Sequence, residues 1–272
     1  MTNIVGRAPG PGRLGASNAR RWTRSFVHGA IAKAVGIDAV PLASIRHAIG
    51  RRAKLLRALN VDIVIDVGAN SGQFGSEIRA AGYGGRILSI EPIGKAYRML
   101  RARATRDPGW MTMQCALGES EGESILHIAG NSASSSFLEM LPVHEEAAPG
   151  TAYVGHERVT VRRLESLLAE YLSSGSRPYL KVDVQGYELE VLMGAGPRLE
   201  AVAAIQLELS LLPLYEGAPM ADEVDAFVRR SGYRLAGIEP GFAEPVSGRL
   251  LQMDGIYVRS DLLAKMPGGA PP

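Results

Sequence analysis

"VIDVGANSGQF", residues 64–74, decides the fold. Its first half is an apolar, β-branched run of the kind that makes a buried strand. Gly68, Asn70, Ser71 and Gly72 then follow, residue types that favour a sharp turn. "GQFGSEIRAAG" continues as a predicted helix that stops at Gly82. Side chains this small at the end of a strand let a ligand come close to the backbone.

The same rhythm repeats outward from this unit. "GRILSIEP" reads as a strand, "KAYRMLRARAT" as a helix and "GWMTMQCALG" as a third strand. "GESILHIAG" follows as a short edge strand, and residues 130–158 as an irregular insertion over the acceptor pocket. "VRRLESLLAEYL" predicts a helix, "PYLKVDVQG" a strand, "YELEVLMGAGPRL" a helix and "VAAIQLELS" a fifth strand. "MADEVDAFVRRSG" is a last helix before two closing strands, "YRLAGIEPG" and "RLLQMDGIYVRS". Strand–helix alternation implies an α/β fold with a mostly parallel sheet covered on both faces. Two final strands with no helix between them imply an antiparallel C-terminal hairpin. The sum is a seven-stranded, Rossmann-like sheet of the class I methyltransferase type.

The turn also discriminates between ligands. A dinucleotide site needs the middle glycine of G-x-G-x-x-G so that pyrophosphate can approach, and here Asn70 stands in its place. Asp66 precedes the first glycine by two residues. A carboxylate is unfavourable beside a pyrophosphate but favourable beside a sulfonium and an ammonium. D-x-G-x-x-x-G therefore points to S-adenosylmethionine. Glu91, followed by Pro92, ends the second strand and is placed to accept both ribose hydroxyls, and Ala116 flanks the adenine. The expected cofactor residues are Asp66, Gly68, Asn70, Ser71, Gly72, Glu91, Pro92 and Ala116.

A second acidic pair comes from later strands. Asp183 ends "LKVDVQG" and Glu208 ends "IQLELS", so both emerge on the rim that carries the glycine turn. Asp183 is read as functional for want of a neighbouring base. Methyl transfer to an alcohol needs a proton acceptor or a divalent metal. Asp183 serves alone as a base, or it shares Mg²⁺ with Glu208 as hard oxygen ligands. His144 and His156 lie in the insertion as alternative bases, and His156 is taken as the third catalytic candidate. Glu188 is read as a favourable charge at a helix start.

Composition limits the class. Of the 272 residues, 46% are hydrophobic and 21% charged, a soluble globular mix with no long apolar run. One cysteine, Cys115, rules out an intrachain disulfide and fits a cytoplasmic setting. Residues 1–60 hold eleven Lys/Arg and one acid, whereas the remainder is net acidic. The expected organisation is a basic, partly disordered extension (1–50) with one or two helices, a catalytic domain (51–260) and a flexible tail (261–272). With Trp22 and Phe26, the extension has the composition of a peripheral contact with anionic membrane at the inner face of the cell membrane.

"DVGANSGQFG", "SIEP", "CALGESEGE", "SSSF", "LKVDVQGYELEVLMGA" and "IQLELS", in this order, resemble the FkbM methyltransferase family. The resemblance implies methylation of a small-molecule or sugar hydroxyl. Relatives with similar leaders include actinobacterial enzymes acting on rhamnose or fucose of cell-envelope glycolipids. It also assigns Ser135 and Ser136 to the site, with Asp183 and Glu188 in a D-x-x-G-x-E segment. Gln185-Gly186-Tyr187 departs from the family's frequent Glu-Gly-Ala and weakens the case for a metal. The competing class is a nucleic-acid methyltransferase that uses the basic arm. Against it, no Asn/Asp-Pro-Pro-Tyr/Phe motif follows the fourth strand, and no nucleic-acid partner is expected. A nicotinamide oxidoreductase lacks its middle glycine and a Tyr-Lys or His proton donor. A non-enzymatic module does not explain the intact Asp66, Gly68 and Glu91.

Overall fold

The computed structural model describes residues 44–267. The expected leader helix over 21–35, the membrane-contact residues Trp22 and Phe26, and the last residues of the tail lie outside the described residues.

The described part of the chain opens with α1 (Ala48–Ala58). It continues as β1 (Ile63–Val67), α2 (Gln73–Ala80), β2 (Arg86–Ile90), α3 (Gly94–Ala104) and β3 (Trp110–Met113). A smaller unit follows: β4 (Ala116–Gly118), β5 (Gly122–Ala129), α4 (Pro142–Ala147) and β6 (Tyr153–Arg163). The chain then returns through α5 (Leu164–Tyr171), β7 (Pro178–Val182), α6 (Glu188–Met193), a 3-10 turn (Gly196–Ala201), β8 (Ala204–Ser210) and α7 (Ala221–Arg230). It closes with β9 (Tyr233–Pro240), β10 (Gln252–Arg259) and a single turn, α8 (Ser260–Leu263).

The main sheet has seven strands in the order β3-β2-β1-β7-β8-β10-β9. β10 is antiparallel to both neighbours, and the pairs from β3 to β8 are parallel. The expected parallel sheet with an antiparallel C-terminal hairpin is what the chain forms. Two expectations fail locally. The third strand breaks after Met113, and Ala116–Gly118 crosses into a separate three-stranded sheet of order β4-β6-β5. "GESILHIAG" pairs with β6 there rather than at the edge of the main sheet, and β6 takes up the end of the supposed irregular insertion.

The alternation of β1 explains its burial on both sides. Ile63, Ile65 and Val67 pack with Leu88, Leu180 and Val182 against Leu164, Leu168 and Val191 of the helices on one face. Val64 packs with Ile87 and Tyr179 against Leu56, Ile78 and Leu100 on the other. The chain runs from β1 outward to β2 and β3, then returns to place β7 on the other side of β1. This reversal opens a crevice beyond the carboxyl ends of β1 and β7, where sheets of this type bind ligands.

Candidate active site

Strand register builds the floor of the crevice. Ser89, Asp66, Lys181 and Gln206 stand side by side on β2, β1, β7 and β8, a polar row across four parallel strands. All four are buried. Asp66 is fully enclosed; its Oδ2 accepts the Ser89 hydroxyl at 3.2 Å, and its Oδ1 lies 3.4 Å from Lys181 Nζ. Ser89 in turn accepts the Trp110 indole N–H at 3.0 Å. The Lys181 ammonium also donates to Asp183 Oδ2 at 3.1 Å and lies over the Phe74 ring. Burial works against that ammonium, but Asp183 and Asp66 outweigh it and hold its pKa above the ordinary lysine range. Burial, together with nearby Asp183, pushes the Asp66 carboxyl up against the pull of Lys181.

Two residues further along the same four strands come Glu91, Gly68, Asp183 and Glu208. The period of two puts them on the same face, one step nearer solvent. Gly68 is the gap in this second row. Its φ is +75°, and a Cβ there would lie 1.8 Å from the Asp183 carbonyl oxygen. The turns after β1 and β7 therefore touch, and glycine is what permits it.

Above them lies a cavity of about 330 Å³. Six of the expected residues, Gly68, Asn70, Glu91, Pro92, Ala116 and Asp183, line it. Glu91 accepts the main-chain N–H of Asn70 at 2.7 Å and of Ile93 at 2.9 Å. Burial still pushes its pKa up to about 7. Pro92, Ile93, Leu117, Leu126 and Phe137 give the cavity an apolar wall. Ser135 reaches the lining, while Ser136 stays buried and donates to the Gln185 carbonyl at 2.7 Å, tying the 132–137 loop to the turn after β7.

The other expected residues stand elsewhere. Asp66 lies beneath the cavity and is neutralised by Lys181, so its charge is not presented to a ligand as the sequence suggested. Ser71 gives its N–H to the Asn70 side chain at 2.7 Å, and Gly72 packs α2 against Leu100 and Trp110. His156 sits on an exposed stretch of β6 opposite His127, away from the cavity. His144 is buried between Tyr215 and Phe242, where desolvation lowers its pKa. Glu188 folds back to accept the N–H groups of Val184 at 2.9 Å and Gly186 at 3.0 Å. It stands in the first turn of α6 as expected, but its partners lie in the turn before the helix, and burial pushes its pKa up to about 8. Glu208 does not reach the lining; Gln185 bridges it to Asp183.

Several residues here escaped sequence reading. Lys181 is the base that Asp183 was thought to lack, and it stands two positions away on the same strand face. Gln206 was legible by the same spacing. Asp254 lines the cavity from β10, in register with Glu208, and burial followed by the charge of Asp183 pushes its pKa up to about 6. Arg52 of α1 lines it too, paired with Glu239 and stacked over Phe74. Nothing local in the sequence marked these two.

Asp183 and Glu208 are the pair expected to hold Mg²⁺, and they fit it poorly. The group between them is the Gln185 amide nitrogen, a donor, where a hard cation needs oxygen ligands. A nucleoside-bearing donor fits better: a glycine turn with no room for side chains, a carboxylate at the end of β2, and apolar walls beside it.

Known proteins resemble the chain in sequence and, more distantly, in fold. The methyltransferase sdnD of Sordaria araneosa is 29% identical over 195 residues, covering 63% of this chain and 73% of that protein. The AMB antimetabolite synthetase AmbE of Pseudomonas aeruginosa is 24% identical over 233 residues; the match takes in 69% of this chain but 11% of that protein. Among solved structures, M. capricolum TrmK bound to S-adenosyl-homocysteine has a TM-score of 0.45 at 8% identity, covering 80% of this chain and 70% of that one. WbdD has a TM-score of 0.44 at 15% identity, covering 78% of this chain and 41% of that one. These structural likenesses are distant. The sequence model of the methyltransferase FkbM domain matches residues 66–235, well over half of the chain, from the buried Asp66 to the start of the closing hairpin, and the chain belongs to that methyltransferase family.

Proposed function

We propose that the protein transfers a methyl group from S-adenosylmethionine to a hydroxyl of a sugar, carried on a glycolipid or a related glycoside. One observation carries the reading. A single cavity is lined both by the nucleoside-type residues Gly68, Asn70, Glu91 and Ala116 and by the carboxylates of Asp183 and Asp254. When bound, the donor supplies an electrophilic methyl on a cationic sulfur. The chain does the rest. Glu91 takes the ribose hydroxyls, and the apolar wall from Pro92 to Leu126 encloses the base. Asp183, fixed by Lys181 and Gln185, accepts the proton that the acceptor hydroxyl loses. Alignment of hydroxyl and methyl is the larger part of such catalysis, and a pocket roofed by Ser132, Ser135 and Phe137 favours it by excluding water.

The charge of the lining supports a neutral acceptor. Glu77, Glu91, Asp183 and Asp254 face it against Arg52 and Lys181, both already paired with carboxylates. Such a wall repels a phosphodiester, which disfavours the nucleic-acid alternative. Among the described residues no helix is long and apolar enough to cross a membrane. The test is mass spectrometry of glycolipids from the source organism with and without the gene. Loss of the gene is expected to give species lighter by one methylene, and an unchanged glycolipid profile would remove the sugar assignment. Calorimetry showing no binding of S-adenosyl-homocysteine would remove the donor as well.

A further inference from the structure

We propose that Gln185 is a positioning residue whose side-chain amide joins Asp183 to Glu208, in the place a divalent cation would otherwise take, leaving Asp183 to accept a proton without a metal. This rests on the reading of Asp183 as the base.

The argument begins with the backbone. Gln185 has φ +58°, in the left-handed region that few non-glycine residues occupy. Such strain persists where surrounding contacts fix it, and here they do. Nε2 donates to Asp183 Oδ1 at 3.1 Å and to Glu208 Oε2 at 2.6 Å, which uses both amide protons. Oε1 accepts the Tyr215 hydroxyl at 2.7 Å. The main-chain carbonyl of Gln185 accepts Ser136 Oγ. Asp183, held by the Lys181 ammonium, accepts, and the Tyr215 hydroxyl donates, so the amide nitrogen is the end that faces the acids. Gln252 Nε2 adds a second donor to the same Glu208 oxygen at 2.7 Å, and Lys181 holds the other oxygen of Asp183. Both carboxylates are thus met by donors from the protein itself. Among the described residues, no group of three or more His, Cys, Asp or Glu side chains could hold a metal ion. Gln185 is the reason at this point: one acid in its place would make three carboxylates converge.

That substitution is the test. Full-length wild type, Q185E and D183N are titrated with Mn²⁺ and followed by electron paramagnetic resonance, and each is assayed for S-adenosyl-homocysteine binding by calorimetry. Q185E is expected to bind one Mn²⁺ at least tenfold tighter than wild type, and the double variant Q185E/D183N is expected to lose that gain. Wild type that binds Mn²⁺ and loses it on D183N overturns the proposal, as does a folded Q185E no tighter than wild type. If Q185E does not fold, the wild-type and D183N comparison decides alone. Failure of wild type to bind S-adenosyl-homocysteine would count against the methyltransferase reading and leave the manganese result to judge Gln185.

Discussion

Replacing Gly68 by alanine tests the contact on which the cavity depends. Two effects add. The backbone at φ +75° lies in the left-handed region, where a Cβ costs about 1–2 kcal/mol. The new methyl would also fall 1.8 Å from the Asp183 carbonyl oxygen and 2.9 Å from its carbon, both main-chain atoms. Contact closer than about 3 Å is not tolerated, so the β1 and β7 turns must part by more than about 1 Å; overpacking of this kind costs about 1–3 kcal/mol. The total is about 2–5 kcal/mol, a large share of the ~5–15 kcal/mol typical of a domain. At ~2–4 °C per kcal/mol for a chain of this size, Tm should fall by roughly 5–20 °C. Gly82 is the control. Its φ is +87°, but a Cβ there meets nothing within 4 Å, so Gly82→Ala carries the dihedral penalty alone. Thermal unfolding of both variants, followed by circular dichroism, separates crowding from strain. Calorimetry with S-adenosyl-homocysteine should show at least a tenfold loss for Gly68→Ala and none for Gly82→Ala. Equal Tm losses with ligand binding intact in both would mean that the turns are not packed as described.

Glu91 gives a pH test. Burial raises its pKa to about 7, and in the proposed role it is the ionised form that would accept two ribose hydroxyls. Affinity for S-adenosyl-homocysteine should therefore be full above that pH and weaken by up to tenfold per unit as pH falls below it, and Glu91→Gln should be flat with pH and weaker than wild type only above about pH 7; calorimetry from pH 5 to 8.5 reads both. Lys181→Met leaves the enclosed Asp66 and its neighbour Asp183 without their shared cation, a change of the kind that costs roughly 3–5 kcal/mol. Urea unfolding should show most of that loss restored in Lys181→Met/Asp66→Asn, and a double variant as unstable as the single one would refute the pairing.

Much of the sheet could be read from the sequence because its signals are local. "VIDVGANSG" and "LKVDVQG" carry their own strand ends and turns, and tertiary packing does not have to supply them. What failed was the break after Met113. "GWMTMQCALG" is one apolar run, and nothing in it says that Ala116 leaves β3 for another sheet. That choice is made by β6, more than forty residues later, which pairs Ala116 with Val161. Asp254 was hidden for the same reason: its place opposite Glu208 depends on β10 inserting antiparallel between β8 and β9.

The misreading of Asp66 has a different origin. Its position was right and its environment was not, because charge was assigned to a residue before its row in the sheet was known. Register puts Lys181 beside it, and with Lys181 in place Asp66 no longer offers negative charge to a cationic sulfur. The acids that do face the cavity are Glu91, Asp183, Glu77 and Asp254. Hence the preference for a positive donor and a neutral acceptor would come from the outer row and its neighbours, while the inner row sets their spacing. Register, not position in the sequence, sorts such acids: Asp66, level with Lys181, belongs to the floor, Asp183, two positions on from that lysine, reaches the lining, and Glu208 is held off it by Gln185.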